Sequence, residues 1–158
     1  MAIEYVLELT GADVDNVAHL LTRTATNAGL VDQAGGEPNV GGTGDWLDSG
    51  VFLRAVANPP LPFRDPIEKK LGIAPTTSVL FRFTTADDPV RQTHDMVRLV
   101  SVLLTEIRGD AALLFNGDVV WLLRKGGQLT ISNEDDFWEP DLQALLPQPF
   151  DRASLPVL

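Results

Sequence analysis

The N-terminal part of the chain shows two hydrophobic periodicities in succession. From Ile3 to Leu9 every second residue is apolar, with two glutamates among the residues between, which predicts a strand with one buried face. After Asp13 the apolar spacing changes to three and four residues, which is the period of a helix with one buried face. Asp13 is placed to cap this helix, and Gly29 ends the pattern. The apolar helix positions are Val14, Val17, Ala18, Leu21, Ala25 and Ala28.

The rest of the chain repeats these patterns. Asp88-Pro89 opens a second long helix that runs to about residue 108, because aspartate caps a helix and proline suits its first position. Its apolar residues, from Val90 to Ile107, cover more than half of the circumference in the second half of the helix, which predicts that this end is deeply packed. Asn116-Gly117 predicts a tight hairpin, and Lys125-Gly126-Gly127 a second turn. Strands are predicted at residues 51–57, 76–85, 111–115, 118–124 and 128–132, and short helices near residues 66–71 and 141–146.

The order β-α-β-β-α-β-β-β predicts an α+β fold in which two helices pack on one face of a mostly antiparallel sheet. Residues 119–123 are apolar on both faces, which favours a central strand. With 158 residues, the chain has the size of a single domain spanning residues 1–158. Residues 32–50 hold six glycines and little apolar content, which predicts a flexible loop inside that domain.

Composition and charge disfavour several classes of function. The chain has no cysteine, so disulfides, thiol nucleophiles and thiolate zinc sites are excluded. Twelve basic and 22 acidic residues give a net charge of −10, which disfavours binding to nucleic acid or to an anionic membrane. The N-terminus is acidic and has no basic residue before Arg23, unlike a signal peptide, so we expect a cytoplasmic protein.

Residues that could suggest an active site lack the accompanying motifs. The glycine-rich residues 35–44 lack the Lys-Ser/Thr of a phosphate-binding loop, and Glu37 would repel phosphate. His19 and His94 lie on predicted helices without metal-binding spacing, and no serine stands in a G-x-S-x-G turn. Exposed helical histidines are therefore favoured. Arg82 and Arg124, on predicted strands, suggest structural ion pairs. We predict no catalytic residue, no metal and no cofactor.

An acidic segment covers residues 132–141, with five acidic residues, no basic residue, and the adjacent aromatics Phe137 and Trp138. Carboxylates around an exposed aromatic ring suit a binding surface, because the charge steers a basic partner and the ring anchors it. The alternative is that Trp138 packs on the sheet as a lid and the acidic side chains are merely solvated. The candidate contact residues are Glu134, Asp135, Asp136, Trp138 and Glu139.

Several short stretches also follow one another in a characteristic order and spacing. They are Met1-Ala2-Ile3-Glu4-Tyr5, Thr77-Ser78-Val79 with Phe81-Arg82, Asp95-Met96-Val97-Arg98-Leu99-Val100, Gly109-Asp110-Ala111, Val120-Trp121-Leu122-Leu123-Arg124, and Trp138. With these stretches the chain resembles the swarming-inhibition (Sit-type) immunity family of bacterial polymorphic toxin systems. The resemblance implies a small cytoplasmic protein that protects its producer or its kin by binding a cognate toxin, and it brings no catalytic residues. Residues 32–50 do not follow the family pattern.

We therefore expect a non-enzymatic immunity protein whose partner is a cognate toxin, and a basic toxin would fit the acidic surface. Residues 35–44 form a second candidate contact zone. One alternative is a small-ligand-binding or regulatory domain with the glycine-rich loop as a lid. Another is a hydrolase or metal enzyme that uses His19 or His94 with carboxylates. The oligomeric state is left open by the sequence.

Overall fold

The computed structural model describes residues 3–32, 36–57, 65–85, 88–134 and 136–158. Within these residues the chain forms one eight-stranded sheet and four helices. The elements are β1 (Ile3–Leu9), α1 (Val14–Asn27), β2 (Asp45–Trp46), β3 (Val51–Ala57), α2 (Asp65–Leu71), β4 (Thr77–Phe83), α3 (Pro89–Glu106), β5 (Ala111–Phe115), β6 (Val119–Lys125), β7 (Gln128–Ser132), α4 (Pro140–Gln143) and β8 (Asp151–Ala153).

The sheet has the strand order β2-β3-β4-β1-β5-β6-β7-β8. All neighbouring strands are antiparallel except β7 and β8, so the predicted α+β fold with a mostly antiparallel sheet is confirmed. β6 lies between β5 and β7, as its two apolar faces predicted. The short strands β2 and β8 were not predicted, since two and three residues are too few to show an alternating pattern.

Helices α1 and α3 pack on the face of the sheet that carries Leu7 and Phe81, as predicted. Leu21 of α1 and Leu99 of α3 join these residues in the main hydrophobic core, and none of the four is more than 1% exposed. A second, smaller core contains Ala112 and Leu114, which alternate along β5 with residues of the main core. Leu71, Ile73 and Val120 pack with them. Helix α2 therefore contributes, through Leu71, to the opposite face of the sheet. No helix among the described residues has the length and apolar character of a membrane span.

Both long helices begin at the predicted caps. The Asp13 carboxylate accepts a hydrogen bond from the backbone N–H of Asn16 at 2.8 Å, and Asp88 accepts one from Val90 at 3.0 Å. At the other end of α3, the Arg124 guanidinium donates to the carbonyls of Leu104, Ile107 and Gly109. Arg124 therefore caps a helix C-terminus. Arg82 does form the expected ion pair, with Glu4 of the neighbouring strand at 3.0 Å.

The described part of the glycine-rich segment is attached to the core at several points. Val40 is 1% exposed, and its carbonyl accepts a hydrogen bond from Ala55 of β3 at 2.9 Å. Leu47 is also buried, and the backbone N–H of Asp48 donates to Leu30 at 2.9 Å. Residues 33–35 lie outside the described residues. The flexibility of the 32–50 loop stays a prediction.

Candidate functional site

The acidic segment, residues 132–141, is anchored to the sheet by its two aromatic side chains. Trp138 is 4% exposed, and its Nε1 donates to the backbone carbonyl of Trp121 at 2.7 Å. Phe137 is half-buried and stacks on Trp121, with ring centroids 5.1 Å apart. Trp138 therefore packs as a lid, which is the alternative that the sequence left open. In this conformation it positions the segment and does not offer its ring to a partner.

The surface beneath Phe137 is an aromatic cluster. Tyr5 lies 5.8 Å from Phe137, 5.2 Å from Phe83 and 5.1 Å from Phe115, measured between ring centroids. Burial raises the pKa of Tyr5 to about 12, because the phenolate would lose its hydration there. The acidic segment thus rests on closely packed, poorly hydrated rings.

The carboxylates of the segment differ in what they contact. Glu134 is exposed and accepts a hydrogen bond from Ser154 Oγ at 2.8 Å. Asp136 and Glu139 are exposed, and neither carboxylate accepts a hydrogen bond from the described part of the chain. Asp135 lies outside the described residues. Asp136 and Glu139 are therefore the described contact candidates whose carboxylates are available to a partner.

Asp136, Phe137 and Glu139 line a cleft of about 240 Å³ that opens against the first turns of α3, and we refer to it as the α3 cleft. Pro89, Val90, Thr93, His94 and Leu142 complete its lining. Val90, an apolar residue in the first turn of α3, is 65% exposed. The cleft thus combines an exposed apolar side chain with two available carboxylates.

The side chains of His94 and Asp141 form a contact between two helices beside the α3 cleft. His94 Nε2 lies 2.7 Å from Asp141 Oδ2, and the two side chains are 33% and 55% exposed. This contact connects α3 to α4 and holds the lining of the cleft together. His19 is exposed, as predicted, whereas His94 is half-buried and paired with a carboxylate 47 residues away. The prediction of an exposed helical histidine is therefore confirmed for His19 and wrong for His94.

Thr93, the neighbour of His94 in the cleft lining, does not turn its hydroxyl toward the histidine. The hydroxyl of Thr93 donates to the carbonyl of Pro89 at 2.8 Å, so it is directed back to its own helix. The described residues contain no group of three or more histidine, aspartate and glutamate side chains that could hold a metal ion. The α3 cleft therefore contains a His–Asp contact and two further exposed carboxylates.

A second cleft, of about 480 Å³, lies beside α1, and we refer to it as the α1 cleft. His19, Arg23 and Thr26 line it from the helix, and Gly36 and Glu37 line it from the glycine-rich segment. The structure thus places part of the predicted second contact zone, residues 35–44, against an exposed stripe of α1. This cleft does not include the acidic segment.

The sequence indicated the acidic segment but not the helix that faces it. Val90 follows the cap of α3 at once, and its apolar character gave no sign that it would be exposed. The contact between His94 and Asp141 spans 47 positions, and no local periodicity predicts a pair at that separation. The long-range packing of residues 136–142 on α3 is therefore the information that sequence reasoning missed.

These features define a small α+β protein with an acidic cleft at the N-terminus of its longest helix. The family model described as SitI3-like matches residues 3–142, and the chain belongs to this family. The family name is consistent with the Sit-type immunity resemblance of the sequence. No curated protein and no solved structure matches the chain significantly.

Proposed function

We propose that this protein is a cytoplasmic, non-enzymatic immunity protein that neutralises a cognate bacterial toxin by direct contact through the α3 cleft. Membership in the SitI3-like family supports the immunity role. The observation that carries the choice of surface is the exposed Val90 beside the available carboxylates of Asp136 and Glu139.

Charge makes a basic toxin the best match for this surface. The chain carries a net charge of −10, so it attracts a cationic protein over a long range and accelerates the encounter. At the cleft, Asp136 and Glu139 orient such a partner, while Val90 and Phe137 supply apolar contact area. Glu134 and Asp135 extend the same proposed surface along the chain. Trp138 supports it from below through the bond to Trp121.

The test uses a candidate toxin domain taken from the neighbouring reading frames and compares two matched charge reversals. Glu139→Lys changes the rim of the α3 cleft. Glu106→Lys changes an exposed residue in the last turn of α3, about 24 Å along the helix from Val90. Both variants alter the net charge equally. We expect Glu139→Lys to slow toxin association about tenfold at low salt, and Glu106→Lys to slow it much less.

Association rates at several salt concentrations, together with survival of cells that express the toxin, give the readout. The difference between the two variants should shrink as salt is added, because ions screen the steering field. Equal rates for both variants would exclude the α3 cleft as the contact surface. Absence of any binding to the toxin domain, with no protection of the cells, would exclude the immunity function itself.

The α1 cleft supports a second candidate function, a small-ligand-binding or regulatory domain. Its volume of about 480 Å³ is in the range of small-molecule sites, and Arg23 and His19 stand at its wall. A metabolite screen by thermal unfolding tests this candidate. A ligand at 100 times its Kd adds about 2.7 kcal/mol of stability, and Arg23→Ala should abolish that gain. A hit that is unaffected by Arg23→Ala binds elsewhere.

A further inference from the structure

Trp46 stands out among the three tryptophans because half of it is exposed. Trp46 is 50% exposed, whereas Trp121 is 7% and Trp138 is 4% exposed. Its ring packs against that of Phe52 on β3, with centroids 5.2 Å apart and planes inclined at 60°. The indole therefore sits at the edge of the sheet, on β2, with one side supported by another ring and part of its surface open to solvent.

Hydrogen bonds hold the backbone at Trp46, and the ring beneath the indole packs closely on Gly44. The Asp45 carboxylate accepts hydrogen bonds from the backbone N–H groups of Trp46 at 2.8 Å and Asn39 at 3.1 Å. Gly44 has a φ of +96°, and a Cβ at this position would lie 2.3 Å from Phe52 Cζ. Only glycine fits there. A tryptophan that is held rigidly at the surface loses little entropy when a partner covers it.

Three carboxylates line the cleft beside the indole. A small cleft of about 150 Å³ is lined by Trp46, Pro38 and the three carboxylate residues Asp32, Asp45 and Asp48. Asp48 also accepts a hydrogen bond from the backbone N–H of Asp32 at 3.2 Å, and this bond connects the two ends of the loop. The electron-rich face of an indole and nearby carboxylates both favour a positive charge.

We propose that Trp46, with Asp45 and Asp48, binds an arginine or lysine side chain in a basic segment of a partner protein. The aromatic face supplies a cation–π contact, and the carboxylates supply hydrogen-bond acceptors and charge complementarity. This surface is separate from the α3 cleft, whose lining shares none of these residues. In a complex with a toxin it would provide a second contact, but the recognition of a basic segment does not depend on the partner being a toxin.

The experiment titrates the full protein with a labelled peptide of six arginines at low salt. A substitution series separates the cation–π contact from apolar burial, since phenylalanine keeps a weaker aromatic face and leucine keeps only apolar area. We expect Trp46→Leu to weaken peptide binding about tenfold and Trp46→Phe to weaken it less. The control is Val157→Ala, which changes an exposed apolar residue outside the small cleft beside Trp46. This variant should bind the peptide like the native chain.

Tryptophan fluorescence provides a second readout. Because the other two tryptophans are buried, peptide binding should change the emission of the native protein and leave that of Trp46→Phe nearly unchanged. Equal peptide affinity for Trp46→Leu and native protein, or no change in native emission at saturation, overturns the proposal. Thermal unfolding of each variant confirms that it is folded. Loss of toxin binding by Glu139→Lys with intact peptide binding separates the α3 cleft from this surface, so each proposal can fail alone.

Discussion

The indole N–H of Trp138 donates to the backbone carbonyl of Trp121 over 2.7 Å, and this bond ties the acidic segment to β6. Both residues are at least nine-tenths buried. With the stacking of Phe137 on Trp121, the bond fixes the backbone between Asp136 and Glu139, whose carboxylates face solvent. A buried contact thereby determines where the exposed charges stand.

Replacing Trp138 with phenylalanine should lower the free energy of unfolding by about 1–3 kcal/mol, because the buried carbonyl of Trp121 loses its donor. Urea denaturation at neutral pH measures the change. Trp46→Phe is the matched control, since Trp46 is 50% exposed and donates no such bond among the described residues. We expect it to lose less than about 1 kcal/mol. Similar losses in both variants would contradict the role given to the Trp138 bond.

Arg124 should contribute far more to stability than an ordinary surface arginine. Its guanidinium satisfies three carbonyls at and beyond the end of α3, and the site is 9% exposed. Burial lowers the pKa of Arg124, and the Asp110 carboxylate opposes this effect. Arg124→Met keeps the apolar stem but leaves these carbonyls without a donor, so we expect a loss of about 3 kcal/mol or more.

Arg98→Met provides the control for this measurement, because Arg98 lies on the exposed face of α3, the helix that Arg124 caps. Its loss should stay within about 0.5 kcal/mol in urea or guanidinium denaturation. If the two substitutions cost the same, Arg124 does not cap α3 in solution.

Because of the raised pKa of Tyr5, we expect the protein to lose stability at alkaline pH. Its pKa is raised to about 12 in the folded protein from 10.0, so the unfolded chain releases its proton first. The unfolded state then holds fewer protons between pH 10 and 12, and the free energy of unfolding falls as the pH rises through this window. Below it, the phenol is protonated in both states and contributes no pH dependence.

Tyr5 is the only tyrosine in the chain, so its titration can be followed directly by ultraviolet absorbance. Denaturation series for the native protein and Tyr5→Phe should diverge above pH 10, with the phenylalanine variant losing less stability. A phenol that titrates at its ordinary pKa would contradict the burial of this side chain.

The contact between His94 and Asp141 should be weak but measurable. Because the two side chains are 33% and 55% exposed, solvent screens the pair, and a double-mutant cycle with His94→Gln and Asp141→Asn should give about 0.2–1 kcal/mol. The same cycle with His19→Gln, an exposed histidine, should give no coupling to Asp141. Equal coupling for both histidines would mean that the contact does not form in solution.

Features that depend on neighbouring residues were predictable from the sequence. The caps Asp13 and Asp88 both accept the expected backbone hydrogen bonds. Asn116 and Gly117 adopt φ values of 49° and 86°, as the tight hairpin between β5 and β6 requires. Each feature follows from the conformational preferences of a few adjacent residues, so no distant part of the chain is needed to specify it.

Features that depend on long-range packing were not predictable in the same way. Arg124 suggested an ion pair, but its guanidinium donates instead to three backbone carbonyls at and beyond the end of α3. Val90 is apolar like the buried residues of α3, but it lies on a part of the helix that neither the sheet nor the acidic segment covers fully. In both cases the outcome depends on which element lies opposite, and periodicity carries no such information.

The sequence by itself determined the α+β class, most element positions and the concentration of carboxylates in residues 132–141, since these follow from local periodicity, caps and composition. Only the tertiary structure decided which of those residues are exposed and which are buried. Packing against Trp121 buries Trp138 and half-buries Phe137, and it leaves Asp136 and Glu139 exposed beside the first turns of α3. The physical reason is that packing on the sheet removes apolar area of the two rings from water. Their charged neighbours remain exposed to solvent.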